Sequence, residues 1–362
     1  MPHFELLREV NPPKTFRVAS IMGKFDLDSN HIVEKFEGNI DIPEKWNIGL
    51  IVGPSGTGKT TIAKELFPDI YFDNYEYKAP SVVDDMPEGC TVEEISKAFN
   101  SVGFSSPPSW LKPYAVLSNG EKMRVDLARN ILEKKECFLF DEFTSVVDRQ
   151  VAKVGSFAIQ KAIRRTDAKF IAVGCHYDVE DWLMPDWIFD TADMTFRIPE
   201  GQKKNRPGLK IRIYETKRKQ YYWRMFARYH YLTHSHNNAA RVYIMTLDNT
   251  VCGFCSVLPF PHPKLKNHYK GHRTVILPDY QGLGLGNFFV SQIAEILKKE
   301  NKGFISTSSH PAIINARVND PNWIVTRFGR TSVGSDSGNI HNKNKSGSTS
   351  SNRITVSFKY IG

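Results

Sequence analysis

Cysteine and long apolar runs are scarce in this 362-residue sequence, and each scarcity excludes a class of protein. Five cysteines are too few for a disulfide framework. Cys252 and Cys255 form a single CxxC pair inside an apolar run, which favours buried structural cysteines over a metal site. No segment approaches the ~18 apolar residues of a membrane-spanning helix, and residues 1–10 lack the apolar core of a signal peptide. We therefore expect a cytoplasmic protein with no membrane partner.

Acidic residues are also scarce, but only in the second half of the chain. Residues 201–362 contain 25 Lys and Arg against 7 Asp and Glu, whereas residues 1–200 contain 23 against 32. A split of this size indicates two domains with different partners. An acidic coenzyme alone would not require so large a positive excess, so we expect the basic half to bind nucleic acid.

The order of apolar segments predicts an α/β first domain at 1–200, a polar linker at 201–208 and a mixed-sheet domain at 209–362. Residues 331–352 are almost wholly Ser, Gly, Thr, Asn and Lys, which predicts a flexible loop. The alternation in 353–360 predicts a final strand that returns to the sheet. Its core-facing side chains would be Ile354, Val356, Phe358 and Tyr360.

A complete GxxxxGK[ST] motif follows the apolar run 48–52 and precedes a helical run, which is the context that a phosphate-binding loop requires. Backbone N–H groups and the helix N-terminus would bind phosphates, Lys59 would reach the β- and γ-phosphates, and the Thr60 hydroxyl would bind Mg²⁺. The residues expected to contact ATP are Gly53, Pro54, Ser55, Gly56, Thr57, Gly58, Lys59, Thr60 and Thr61.

A second apolar strand, 137–140, ends in Asp141 and Glu142. We expect Asp141 to hold Mg²⁺ and Glu142 to orient or deprotonate the attacking water.

The residues between these two motifs resemble the signature of ABC ATPases. Residues 117–121 read LSNGE where that family has LSGGE, so Asn119 replaces the first glycine. The resemblance extends to 145–148 as the D-loop and to His176 as the switch histidine, which makes His176 a candidate catalytic residue. It also implies that Ser118 and Gly120 bind ATP and that Phe25 stacks on adenine.

Two departures from that family bear on function. No glutamine-centred loop is found between 72 and 117, and the segment between Lys59 and Ser118 is short, which implies a trimmed helical subdomain. Both put coupling to a membrane transporter in doubt. The resemblance therefore implies an ABC-type ATPase that forms an ATP-dependent homodimer, in which the signature of one protomer closes on the ATP of another.

A glycine-rich turn marks the second half, where an apolar strand leads to the run QGLGLG and then to a helix. This run resembles the Q/R-x-x-G-x-G/A motif of the GNAT N-acetyltransferases, and the order of elements in 209–362 agrees. The resemblance implies an acetyl coenzyme A site. The backbone of Val275, Ile276 and Leu277 would hold pantetheine, and the turn formed by Gln281, Gly282, Leu283, Gly284, Leu285 and Gly286 would hold pyrophosphate.

The joining of the two domains resembles ATPase–acetyltransferase fusions of phages and mobile elements, some of which are compared with Mom-type DNA-modification proteins. That resemblance implies acylation of nucleic acid, DNA before RNA. Two alternatives stay open: a protein or aminoacyl N-acetyltransferase with a regulatory ATPase, and a DNA-binding ATPase whose GNAT domain is a non-catalytic platform.

The residue that handles the acceptor proton is not identified by the sequence. Candidates after the motif helix are Ser306, Ser308, Ser309, His310 and Asp320. The run 229–231 (YHY) is another, although Trp223, Phe226 and His230 at helical spacing are typical of a core. The other histidines, His234, His236, His262, His268 and His272, have irregular spacing, which favours solvated loops over a metal site.

Overall fold

The computed structural model describes residues 3–10, 13–25, 32–71, 75–199, 209–230, 234–263, 265–330 and 354–362. The predicted linker at 201–208 and the predicted flexible loop at 331–352 lie outside the described residues. The chain divides into two compact units, one formed by 1–76 with 133–207 and the other by 77–132 with 208–362.

The strands are β1 (His3–Val10), β2 (Ile32–Asn39), β3 (Ile48–Val52), β4 (Cys137–Phe140), β5 (Lys169–Gly174), β6 (Trp187–Asp190), β7 (Thr195–Arg197), β8 (Ile211–Thr216), β9 (Arg241–Leu247), β10 (Thr250–Phe260), β11 (His268–Ile276), β12 (Gly303–Ser308), β13 (Trp323–Arg330) and β14 (Ile354–Tyr360). The α-helices are α1 (Phe16–Lys24), α2 (Lys59–Leu66), α3 (Val92–Ser101), α4 (Pro107–Trp110), α5 (Asn119–Leu132), α6 (Arg149–Ile163), α7 (Val179–Leu183), α8 (Lys219–Phe226), α9 (Leu285–Lys299) and α10 (Pro311–Val318). Within the described ranges, no helix has the length and apolar character needed to cross a membrane.

The first unit is built on a five-stranded sheet of order β4-β5-β3-β6-β7, parallel except for β7. Strand β3 is buried along its whole length and β5 nearly so, as expected of central parallel strands that are covered on both faces. Strand β4 ends in the two carboxylates and β3 leads into the phosphate loop. Only β5 lies between them in the sheet.

An antiparallel β1–β2 pair covers one side of this sheet. Phe4 of β1 and Phe36 of β2 pack into one apolar cluster with Ile51, Trp187 and Phe189 of the sheet. Burial of these side chains joins the β1–β2 pair to the phosphate-loop strand.

The second unit is built on a seven-stranded sheet of order β13-β14-β12-β11-β10-β9-β8. Its pairs are antiparallel except for β11 with β12. The predicted returning strand is confirmed as β14, which pairs with both β12 and β13 and buries Val356 and Phe358, while Ile354 stays 45% exposed. Helix α9 packs against β11 and β12 through Leu285, Phe289, Val290, Ile293, Ala294 and Leu297, which lie on one helical face.

Residues 77–132 belong to this second unit, although they lie between β3 and β4 in sequence. Helix α3 begins with a capping box in which Thr91 and Glu94 satisfy each other's backbone N–H groups, and it packs against α5. The sequence did not predict this grouping, because it follows from packing between segments distant in the chain.

Candidate functional site

The predicted phosphate loop joins β3 to α2, the arrangement that the motif requires. Gly56 and Gly58 have φ angles of 86° and 79°, which side chains other than glycine rarely adopt. A Cβ at Gly58 would also collide with the ring of Phe36. Lys59 is buried and its Nζ donates a hydrogen bond to the Pro54 carbonyl at 2.7 Å. The ammonium group is therefore folded back over the loop, where a bound phosphate would replace the carbonyl as its partner.

The loop is held from a second side by Thr191, which follows β6. The hydroxyls of Thr57 and Thr191 lie 2.5 Å apart, and a Cβ at Gly53 would collide with the Thr191 hydroxyl. Ser55 is exposed at the loop surface, and Thr61 is half-buried in the first turn of α2. Sequence reasoning missed Thr191 and Phe36, since no motif includes them.

Thr60 and Asp141 come together as the predicted magnesium site requires. The Thr60 hydroxyl donates to Asp141 Oδ2 at 2.8 Å, although the two residues are 81 positions apart. The Tyr71 hydroxyl donates to the same oxygen at 2.8 Å, a contact that the sequence did not predict. Hydroxyl and carboxylate oxygens are ligands that Mg²⁺ prefers. These residues fit the ion, and the assignment stays a prediction.

Glu142 and His176 follow the ends of neighbouring parallel strands, β4 and β5, and so lie at the same edge of the sheet. Glu142 is exposed, has a φ of 53°, and donates its backbone N–H to Asp141 Oδ1 at 2.8 Å. Phe143 N then donates to the carbonyl of Val173 in β5 at 2.7 Å. This turn gives Glu142 a strained backbone and an exposed carboxylate, features that occur together at functional sites.

The predicted D-loop and Phe25 are the two remaining residues or segments of the first unit that the family resemblance assigned. Asp148, the last residue of the predicted D-loop, caps α6 by accepting from Gln150 N and Val151 N. Phe25 is 66% exposed after α1, a helix that buries none of its residues. Stacking of Phe25 on adenine therefore stays a prediction without a packing contact to support it.

Ser118 and Gly120 belong to the second unit, at the start of α5. Ser118 Oγ accepts from Glu121 N at 3.3 Å, and Ser118 N donates to Glu121 Oε2 at 3.0 Å, which completes a capping box. Ser118 is exposed and Gly120 is buried. The exposed start of a capped helix is suited to bind an anion.

The predicted coenzyme A loop leads from β11 into α9. Gly282 and Gly284 have φ angles of 95° and 82°, and Gly284 is the N-terminal cap of α9. A Cβ at Gly284 would have no atom within 4 Å, and one at Gly286 would meet only Ile276, at 3.6 Å. The loop is therefore open at the helix N-terminus, where backbone N–H groups lack intrahelical partners and favour an anion. Leu283 is half-buried in the loop, and Leu285 is buried in the first turn.

Strands β11 and β12 separate beside this loop. Their parallel pairing covers only His268–Lys270 with Gly303–Ile305. His272 has no partner in the β10–β11 register, where Arg273 pairs with Ser256 and Gly271 with Val257, so it is a bulge residue at the point of separation. Val275 is buried in the core, while Ile276 and Leu277 are half-buried between the bulge and the glycine loop.

The side chain of Gln281 is bound to protein on both ends. Its Oε1 accepts from Ser105 N at 3.0 Å, and its Nε2 donates to the Ile276 carbonyl at 2.9 Å. The motif glutamine thus fixes the shape of the loop, whereas the sequence predicted it only as part of a pyrophosphate-binding turn.

A cluster of aromatic and histidine side chains surrounds the bulge. Trp223 and Phe226 are buried, and His230 is 8% exposed, which agrees with the core interpretation of this helix. His236 contacts Trp223 and Phe254, and its ring centroid lies 5.7 Å from that of His272. The expectation of solvated loops is wrong for His272, which lies in β11, whereas His236 does lie in a loop; both side chains are half-buried.

The surroundings of both histidines favour the neutral imidazole. Burial and the positive charge of Arg273 lower the pKa of His236, and the same causes lower the pKa of His272 to about 4. Asn237 N donates to His272 Nε2 at 3.4 Å. Within the described part of the chain, neither ring nitrogen of His236 has a hydrogen-bond partner, although both are shielded from solvent. A buried polar group without a partner indicates a site for a ligand or water.

The other candidates for proton transfer have structural partners. Ser306 Oγ accepts from the buried Arg317 at 2.8 Å, and Ser308 Oγ accepts from His310 N at 3.1 Å. Asp320 accepts from Asn322 N at 3.0 Å. Cys252 and Cys255 are buried free thiols, as the sequence predicted, and burial raises the pKa of each, to about 12 and about 11. No group of three or more metal-ligating side chains occurs among the residues that the structure describes.

Family models match two regions of the chain. Residues 49–173 match the ATPase family associated with various cellular activities (AAA), and residues 209–314 match the acetyltransferase (GNAT) family. These matches confirm the predicted fold class, in which a P-loop ATPase-like region precedes a GNAT-like sheet domain, and they support ATP and an acyl coenzyme A as the bound molecules.

Individual relatives are similar over smaller parts. The ribosome protection protein VmlR of Bacillus subtilis is 27% identical over 118 residues, covering 27% of this chain and 21% of that protein. The chain thus spans about a fifth of the length of that relative. A Bacillus subtilis acetyltransferase in complex with CoA is 12% identical, with a TM-score of 0.32 over 42% of this chain and 99% of that one. A dimeric bacterial ABC transporter cassette is 14% identical, with a TM-score of 0.34 over 43% of this chain and 87% of that one.

Proposed function

We propose that this protein is an ABC-type ATPase joined to a GNAT acetyltransferase that transfers an acetyl group from coenzyme A to an amine of nucleic acid, with DNA favoured over RNA. The observation that carries the transferase assignment is the open loop at Gly282 and Gly284, placed at the N-terminus of α9 beside the separated strands β11 and β12.

In the ATPase half, the loop amides and Lys59 bind the phosphates, and Thr60 with Asp141 holds Mg²⁺, which neutralises charge on the phosphate oxygens. Glu142 orients the attacking water from its exposed position beside Asp141, and His176 lies at the same sheet edge. Ser118 closes on the nucleotide of a second protomer, so that the protein forms a homodimer when ATP is bound.

In the transferase half, pyrophosphate binds the amides of 282–286 and pantetheine extends along Leu277, Ile276 and Val275 toward the bulge at His272. This strand rises about 3.3 Å per residue, so the bulge lies roughly 13 Å before Ile276. The acceptor amine attacks the thioester carbonyl, the C–N bond forms, and the C–S bond breaks. The amine proton passes to a base, and the coenzyme thiolate takes up a proton to leave as free thiol.

His236 is the base that we propose for this step. It is half-buried beside the bulge, its shielded ring nitrogens lack partners among the described residues, and its lowered pKa favours the neutral form that can accept a proton near pH 7. His272 Nε2 already accepts a hydrogen bond from Asn237, which makes it the weaker candidate.

An exposed basic and aromatic face supports nucleic acid as the acceptor. On α8 and the turn that follows, Tyr221, Arg224, Met225 and Arg228 lie three and four residues apart, and the first three side chains belong to one helix face. Tyr221 is 62% exposed, and both arginines are exposed. Cations bind phosphates and exposed rings stack on bases, so this face suits a nucleic acid strand.

The test is mass analysis of nucleosides after incubation of the full chain with acetyl coenzyme A, ATP and duplex DNA. We expect an acetylated nucleoside that is absent without coenzyme. His236→Gln should lower kcat at least tenfold while acetyl coenzyme A affinity stays within twofold, and His262→Gln, in the segment between β10 and β11, should change neither. Acetylation of RNA, peptides or aminoacyl groups instead would reassign the acceptor. Coenzyme binding without transfer to any of them would favour the non-catalytic platform.

A further inference from the structure

Part of the ATPase-matched region contacts the coenzyme A loop. The AAA family match covers 49–173, but residues 77–132 of that match fold with the transferase sheet as one compact unit. Three residues of this segment, Gly103, Ser105 and Arg124, lie against the residues that lead into and form the loop.

The closest approach is at Gly103. It has a φ of 88°, and a Cβ there would lie 2.6 Å from the Gln281 carbonyl oxygen and 3.3 Å from the Gly282 Cα. Real Cβ atoms do not approach a backbone oxygen so closely, so any larger residue at 103 would displace the loop. Two residues later, Ser105 N donates to the Gln281 side chain at 3.0 Å. The Ser105 backbone also contacts His310, which immediately precedes α10.

Arg124 makes the second contact. Its side chain extends from α5, is 1% exposed, and donates from Nη2 to the Asp279 carbonyl at 3.2 Å. Asp279 is two residues before Gln281, in the short turn that links β11 to the glycine loop. Among the described residues, Nε and Nη1 of Arg124 have no hydrogen-bond partner. A guanidinium that stays buried with one hydrogen bond is sensitive to any movement of that turn.

We propose that Gly103, Ser105 and Arg124 position the coenzyme A loop, so that the acetyl coenzyme A site is complete only when this segment of the ATPase-matched region is packed against it. This inference rests on the proposed transferase function. The three residues are positioning residues that act through Gln281 and Asp279, because their contacts are with the loop and the turn before it.

Gly103→Ala compared with Gly89→Ala tests the proposal in the full chain. Both glycines lie in the same segment with φ angles of 88° and 87°, but a Cβ at Gly89 would have no atom within 4 Å. The two variants therefore share the backbone strain and differ in the contact with the loop. Calorimetric titration with acetyl coenzyme A should show at least tenfold weaker binding for Gly103→Ala and no more than twofold for Gly89→Ala. ATP hydrolysis, and kcat at saturating acetyl coenzyme A, should stay within twofold of wild type.

Arg124→Met provides a second variant should Gly103→Ala fail to fold. It keeps a long side chain and removes the hydrogen bond to Asp279, and Lys97→Met is its control because Lys97 is an exposed cation on α3. We expect at least threefold weaker acetyl coenzyme A binding for Arg124→Met alone. Wild-type binding in both folded variants would overturn the positioning role while leaving the transferase function intact. Absence of binding by the wild-type protein would overturn both.

Discussion

Ser118 caps the helix that carries Arg124, so the residue expected to meet a partner's nucleotide and the residue that contacts the turn before the coenzyme A loop share one rigid element. At 1.5 Å per residue along α5, the two positions are about 9 Å apart. Movement of Ser118 toward ATP would therefore carry Arg124 with it. In the proposed mechanism, this single helix connects ATP binding to acetyl coenzyme A binding.

Glu142→Gln should abolish ATP hydrolysis while ATP binding is retained. The carboxylate is exposed beside Asp141, and removing its charge removes the proposed water-orienting group without changing the side-chain shape. Loss of a general base lowers turnover by about 10² to 10⁴-fold. Phosphate-release assays measure this change. Glu136→Gln, an exposed carboxylate before β4, is the control and should hydrolyse ATP at the wild-type rate.

The same variant should accumulate as an ATP-bound dimer, because hydrolysis no longer opens it. Light scattering with and without ATP measures the mass in solution, and Glu142→Gln with Ser118→Arg should return to a monomer. A strictly monomeric Glu142→Gln protein at saturating ATP would contradict the ABC-type mechanism.

Gly284→Asp should eliminate acetyl coenzyme A binding without unfolding the domain. A side chain at this position has open space around its Cβ, so packing is not disturbed, but a carboxylate there would repel pyrophosphate at the helix N-terminus. Gly284→Asn is the matched control, because asparagine has the same shape and tolerates a positive φ. Calorimetry should show much weaker binding for the aspartate variant than for the asparagine variant. Equal affinities would place the pyrophosphate elsewhere.

Arg224→Ala should weaken binding of duplex DNA and flatten its dependence on salt. If Arg224 contacts one phosphate, the slope of log K against log[salt] should become less negative by about 0.9. Fluorescence anisotropy over a range of salt concentrations measures this slope. Lys299→Ala removes an exposed cation at the C-terminal end of α9 and should leave the slope unchanged. If both variants lower DNA binding equally, binding depends on the overall charge of the domain and not on the face formed by α8.

Asp126→Asn should change how stability depends on pH. Asp126 accepts hydrogen bonds from the hydroxyls of Tyr77 and Tyr114 at 2.6 and 2.8 Å, and burial raises its pKa to about 6. Because the unfolded carboxyl ionises near pH 4, its stabilising contribution is largest below that pH and is lost as pH rises through about 6. The difference in unfolding free energy between wild type and Asp126→Asn should therefore move against wild type by about 2 kcal/mol from pH 4.5 to 7.5.

Urea unfolding at the two pH values measures that change. Glu93→Gln, an exposed carboxylate in the first turn of α3, is the control and should show a much smaller change. A difference between wild type and Asp126→Asn that stays constant over this pH range would mean that Asp126 ionises normally.

Local patterns allowed much of the fold to be predicted. The apolar run 48–52 with its glycines and Lys59 specified strand, loop and helix, and alternation in 354–360 specified the returning strand β14. In each case, the residues that carry the signal are close together in the sequence. Thr60 and Asp141 were each predicted to bind Mg²⁺ from their own motifs, and the structure brings them together at the carboxyl ends of parallel strands.

The contacts around the coenzyme A loop could not be predicted in the same way. Ser105 supplies a backbone N–H to Gln281, and any residue except proline supplies that donor, so no residue type signals the contact. Gly103 is likewise an ordinary turn glycine until the loop that packs on it is known. His236 and His272 are 36 positions apart, and no local pattern signals that their rings pack together beside Trp223.

ATP and acetyl coenzyme A should change each other's affinity by the same factor. If dimer closure moves Ser118 and α5 shifts Arg124, then the turn at Asp279 takes different positions in the open and closed states. The affinity for acetyl coenzyme A then differs between the two states. Thermodynamic linkage requires acetyl coenzyme A to change the affinity for ATP by the same factor. Coupling factors between sites are typically about 5- to 150-fold, so we expect at least fivefold in each direction.

Calorimetry on Glu142→Gln, where ATP is not consumed, measures acetyl coenzyme A affinity with and without ATP, and ATP affinity with and without coenzyme. Adding Arg124→Met should reduce both factors to less than twofold, whereas Lys97→Met should leave them unchanged. Factors below twofold in the parent Glu142→Gln protein, or coupling that survives Arg124→Met, would show that α5 does not connect the sites.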